Sequence, residues 1–192
     1  MKRIVLAVFV SLVFIACGGD KKSPPTDSQP KVKAMTATPV DEREKRTEEL
    51  KKAPQLTLEQ MRMLMPKELD SAKEKNYLAS TQFGYGLASV DYPKGKGRSL
   101  KVTLYDCAGE MGYVNYFENY WDHLNVNSQT ETEFTKTIDF GSGKAVETYK
   151  KDMNLTTLTF VVRDRLVIMV EGKNMTPAEV ESAAKKLQQK IG

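Results

Sequence analysis

Residues 155–172 read LTTLTFVVRDRLVIMVEG, two apolar runs on either side of a charged triplet. Each run is short, rich in β-branched residues and almost continuously apolar, which is the pattern of a strand with neighbours on both sides. Arg163 to Arg165 between them fits a solvated hairpin turn, although the two arginines also allow an anion clamp. A pair of central antiparallel strands is therefore expected, and the rest of the chain must supply the flanks and the cover.

Working outward, TPAE (Thr176 to Glu179) opens a helix with an N-cap, a proline at the first helical position and a reciprocal glutamate. The helix has one apolar face: Val180, Ala183, Ala184, Leu187 and Ile191. On the other side, TEFTKTIDF and KAVETYK add two strands, with GSG and DMN as the turns. GYVNYFENYWDHLN before them has helical spacing, so that Tyr113, Val114, Phe117, Trp121 and Leu124 share a face. Earlier still, Phe83, Tyr85 and Leu87 alternate before the apolar set moves to Ala88, Val90 and Tyr92, a one-residue shift that predicts a bulge near Gly84 or Gly86. YPKGKGRS then turns the chain into Leu100, Val102 and Leu104. TLEQ (Thr57 to Gln60) is a capping box for a short helix that Pro66 ends.

The predicted order is helix, two strands, helix, four strands, helix. It is an α+β fold: a two-layer sandwich of a mostly antiparallel sheet of about six strands, with about three helices on one face. That layout is similar in outline to PsbP-like and related exported α/β/α or two-layer domains, a likeness that carries no site residue and implies no activity.

Few residues in the body offer chemistry. GSGKA (Gly141 to Ala145) has Ala where a phosphate loop needs Ser or Thr, and it lies between strands. GYGLAS (Gly84 to Ser89) lacks the third glycine of a dinucleotide fingerprint. Asp152 and Asn154 are followed by no glycine of a calcium loop. Met61, Met63 and Met65 are alternate residues that point apart on a helix, so they fit core cover better than a soft-metal site. No catalytic residue, cofactor or metal ligand is assigned. Cys107, in YDCAGE ahead of the aromatic helix, is a candidate thiol nucleophile with His123 as base. His123 lies roughly 20 Å farther along a regular helix, which favours a structural cysteine. On a helical wheel Tyr116, Tyr120 and His123 share one flank, whose rings with polar tips make it the candidate interaction surface; sealing the core edge is the alternative role.

The N-terminal third has a different composition. Residues 18–54 hold five of the eight prolines and no aromatic ring, so residues 17–55 are expected to be a flexible, partly helical tether ahead of a single domain at 56–192. Within it DEREKRTEELKK (Asp41 to Lys52) predicts a solvated helix, polar on every side and supported by i to i+4 ion pairs. Before the tether, Lys2 and Arg3 precede an apolar run from Ile4 to Ile15. That run covers roughly 18 Å as a helix, against ~30 Å of bilayer hydrocarbon, so it is too short to stay as a spanning anchor. Basic residues, a short apolar run and small Ala16 form the layout of a cleaved signal peptide over residues 1–16.

The junction Phe14-Ile15-Ala16-Cys17 resembles the lipobox of bacterial lipoproteins, with Phe14 where the commonest form has Leu. The resemblance implies cleavage between Ala16 and Cys17, diacylglycerol on the Cys17 thiol and usually fatty acylation of the new N-terminus. It makes the membrane the first partner. Gly18 stands where inner-membrane lipoproteins of enteric bacteria usually have Asp, which by that sorting code implies the outer membrane. Removing Lys2 and Arg3 takes the 29 basic side chains to 27 against 25 acidic, a net of +2 and no nucleic-acid signature. With Cys17 lipidated, Cys107 is the one thiol left and no internal disulfide forms. The leading expectation is a non-enzymatic envelope binding domain that meets an envelope protein; the alternatives are an envelope enzyme using Cys107 and a structural component of an envelope complex.

Overall fold

A computed structural model describes residues 39–192. The chain runs through α1 (Pro39–Lys52), α2 (Leu58–Leu64), β1 (Glu68–Leu69), β2 (Ala72–Lys73), β3 (Lys75–Ser80), β4 (Gly86–Gly95) and β5 (Arg98–Asp106). It continues through α3 (Gly112–Asn119), a 3-10 turn (Trp121–His123), β6 (Asn127–Gln129), β7 (Glu133–Phe140), β8 (Gly143–Lys150), β9 (Leu155–Val162), β10 (Leu166–Lys173) and α4 (Pro177–Ile191). The fold is α+β. Eight strands form one antiparallel sheet in the order β3-β4-β5-β10-β9-β8-β7-β6, and β1 and β2 make a separate small hairpin.

β9 and β10 occupy the middle of the sheet, as their unbroken apolar runs require, because both faces of each carry packing. Leu166, Ile168 and Val170 join the core under α4, whereas Val167 joins a second cluster with Tyr116 and Phe117 of α3. Between β9 and β10, Arg163 and Asp164 both have positive φ, the geometry of a turn that follows the strand twist. The main core lies between the sheet and the pair α2 and α4. Thr176 caps α4 through the expected reciprocal bonds with Glu179, and all five residues of the predicted apolar face are buried. Close approach of α4 to β10 depends on Gly172, where an added Cβ would meet Val180 Cγ2 at 2.2 Å.

Four expectations are corrected. First, helices cover both faces, so the two-layer sandwich becomes a helix layer on each side of the sheet; Val167 and Tyr105 give α3 an apolar seat on the face opposite α4. Second, Phe83 and Tyr85 lie in a turn after β3, not in a strand. Positive φ at Gly84 reverses the chain, so the phase change from Leu87 to Ala88 marks a strand start at Gly86 and no bulge there. Third, the aromatic helix ends at Asn119: Tyr120 has φ −139° and ψ −65°, and the chain tightens into the 3-10 turn. Fourth, the helix ending at Lys52 is not a solvated spacer, because Leu50 is 2 % exposed and its carbonyl accepts from the Gly109 amide at 2.9 Å. Residues 17–38 of the expected tether lie outside the described residues.

Candidate binding site

The face of the sheet that carries α3 is covered at only one end. α3 sits over Tyr105, Val161 and Val167, and among the described residues a groove is left on the rest of that face. Its side chains alternate with the core residues of the same strands, so they are the outward half of each strand's period. They are mostly threonine: Thr135, Thr148, Thr157 and Thr159, with Val146 and Met169 between them. Together with the end of α3 they enclose a groove of about 380 Å³, rimmed by Glu118, His123, Glu133, Lys150 and Glu171. The Thr135 and Thr148 hydroxyls bond each other across β7 and β8 at 3.0 Å, and Thr159 is buried. Such a surface has hydroxyl donors and acceptors on a rigid floor and three carboxylates against one lysine at its edge. It can hold a polar or cationic ligand by hydrogen bonds and charge.

The residues singled out in the sequence do not assemble into one site. Tyr116 and Tyr120 are 4 % and 7 % exposed, and Tyr120 Oη donates to the Lys144 carbonyl at 2.9 Å. They are core, as the early end of the helix turns Tyr120 inward. Burial pushes the Tyr116 phenol up to about 12. His123 alone of that trio is exposed, its Nε2 2.9 Å from the Glu118 carbonyl, so the proposed recognition flank is not a surface. Cys107 is fully buried in the second cluster, and burial pushes its thiol up to about 12, which keeps it protonated at neutral pH. Gly112 approaches it so closely that a Cβ there would meet the Cys107 carbonyl carbon at 2.6 Å. A closed, neutral thiol is packing material, and the Cys107 and His123 pair has no geometry for nucleophilic catalysis.

Arg165 of the charged turn is occupied within the fold. Its Nε lies 3.3 Å from Asp106 Oδ1 and its Nη1 donates to the Pro54 carbonyl at 2.6 Å. The fully buried Asp106 carboxylate also accepts from the Leu56 amide at 2.5 Å. Arg165 therefore clamps the connection before α2 to the sheet and has no free fork for an anion, while Arg163 is exposed. Met61 and Met65 are buried and Met63 is 78 % exposed, so the three sulfurs do not converge. Among the described residues no three His, Cys, Asp or Glu side chains are grouped to hold a metal ion. Ala16 and Cys17 lie outside the described residues.

The groove had only an indirect sign in the sequence. Thr135, Thr148, Thr157 and Thr159 fall on the polar half of their strands, and only the sheet order brings the four strands' polar halves side by side. Compared with known proteins, the chain matches no family model, no curated sequence and no solved structure.

Proposed function

We propose that this protein is a bacterial lipoprotein whose body is a non-enzymatic binding domain of the cell envelope. Cys17 carries the lipid, and Gly18 directs the protein to the outer membrane. The lipobox-like junction supports the anchor, since hydrophobic run, small residue and cysteine coincide at Phe14 to Cys17. Two or three acyl chains hold a protein at a bilayer almost permanently, whereas one chain binds only marginally. The open threonine groove is the observation that supports binding: a rigid, polar, half-covered sheet face with a charged rim. Burial of Cys107 counts against the enzyme reading, whose nucleophile it would be.

The anchor is tested by Cys17→Ser in a bacterial host. The unaltered chain is expected in the detergent phase on Triton X-114 partition, with an N-terminal peptide heavier by a diacylglyceryl group. The variant is expected to be uncleaved or to enter the aqueous phase. Equal partition of the two forms with no lipid mass on Cys17 overturns the lipoprotein reading.

A further inference from the structure

α1 is fixed to the body by cations laid on aromatic rings. Leu50 is the one buried residue among its described side chains, its carbonyl accepts from the Gly109 amide at 2.9 Å, and Val40 is 64 % exposed. The Arg43 guanidinium lies 4.0 Å from the centre of the Phe117 ring and pairs with Asp122, its second nitrogen 3.3 Å from Oδ2. Arg46 stands 5.7 Å from the Tyr116 ring and donates to the Asp164 carbonyl at 3.3 Å. Lys51 is 4.9 Å from the Tyr113 ring and 3.5 Å from Glu110.

The rings below form a continuous surface. Tyr113 and Phe117, Tyr116 and Phe117, Phe117 and Trp121, and Tyr116 and Trp121 meet with centroids 5.4 to 6.4 Å apart. An aromatic ledge with Glu110 and Asp122 at its rim is complementary to guanidinium groups, which stack on ring faces while their edges pair with carboxylates. Most of these contacts are exposed and weaken together in salt, unlike the sheet core. The chain beyond α1 is pinned at Pro54 and Leu56 by Arg165 and Asp106, which leaves Ala53 as the pivot.

We infer that the ledge of α3 and the 3-10 turn is a docking site for an arginine-bearing helix, that α1 is its internal occupant, and that release of α1 opens it to such a helix on a protein partner. This rests on α1, α3 and the residues flanking α3, independently of the lipid anchor and the groove. α1 shows the chemistry the partner must have: two arginines one turn apart and a single leucine anchor four residues beyond the second.

Trp121 is the chain's one tryptophan and lines a cleft with Glu42, Lys45, Arg46 and Glu49 of α1, so its fluorescence reports the strap. In the full chain, acrylamide quenching of Trp121 is expected to rise about twofold between low salt and 1 M NaCl, a range that shortens the screening length to ~3 Å. Amide exchange in α1 should quicken over the same range while β9 and β10 stay protected. The double variant Arg43→Glu, Arg46→Glu should be quenched at low salt as strongly as the unaltered chain at 1 M. A synthetic peptide of residues 39–52 should restore its protection, and the same peptide with both arginines changed to Glu should not. Exchange of α1 only together with β9 and β10, salt-independent quenching, or failure of the peptide on a folded variant overturns the inference. If the double variant unfolds, the salt dependence of exchange in the unaltered chain decides the release, and protection of Trp121 by the peptide at 1 M NaCl decides the docking.

Discussion

Cys107 has no route to solvent in the folded chain, and its Sγ faces the Tyr105 carbonyl at 3.7 Å. Alkylation by iodoacetamide at pH 8 is therefore expected only as fast as the protein opens, and denaturant should accelerate it by orders of magnitude. Labelling of native protein at the rate of a free thiol peptide would show that the second cluster is not closed. The raised folded value also sets an alkaline limb. The neutral thiol's stability contribution is complete below its unfolded value of ~8.5 and is lost as pH rises toward about 12. Burial of Cys107 was legible, since one cysteine without a nearby base reads as core. Burial of Tyr116 was not, because it lies on the flank of a regular helix and is covered by Arg46 of α1, a charged helix expected to stand free in solvent.

α4 and α2 were legible at their first residues, because a capping box is a local device: four consecutive residues satisfy one another's free backbone amides wherever the helix later packs. Thr176→Ala should accordingly destabilise the protein by about 1 kcal/mol, measured by urea unfolding, with Thr176→Asn close to the unaltered chain. No change on Thr176→Ala would mean that α4 is ordered by its packing alone. α1 was misread for the opposite reason. Its periodicity is polar and only Leu50 is buried, so no apolar stripe announced a partner; the partner is an aromatic surface that arginine covers as well as leucine does. A lone leucine followed by two lysines at the end of a charged helix was the signal present.

At the scale of the whole molecule, Asp70 joins three separate parts. It turns the β1 and β2 hairpin with φ 49°, pairs with Lys94 of β4, and accepts from Lys186 of α4 at 2.5 Å. Those ammonium groups hold its carboxyl below the ordinary aspartate range, Lys186 foremost. A depressed folded value stabilises the fold above the unfolded value of ~3.9, and that contribution is lost as pH falls below it. Asp70→Asn should thus be less stable than the unaltered chain at pH 7, by a margin that shrinks in thermal unfolding as pH falls below the unfolded value. A margin that stays constant through acid unfolding would remove the ion pairs from the account. Six strands, β4, β5 and β7 to β10, were legible from period and turns, but β3, β6 and the β1 and β2 hairpin were not. Neither was the order, because pairing of β5 with β10 is a match between residues such as Leu104 and Ile168 that no local pattern encodes. That same pairing governs how the chain is made. β5 is complete at Asp106, and its partner begins only at Leu166, so at ~5 to 20 residues per second several seconds of synthesis pass while one edge of β5 stands unpaired. Until β10 and α4 emerge, Leu100, Val102 and Leu104 have no cover from either, which leaves an apolar strand edge open to wrong pairing during that interval.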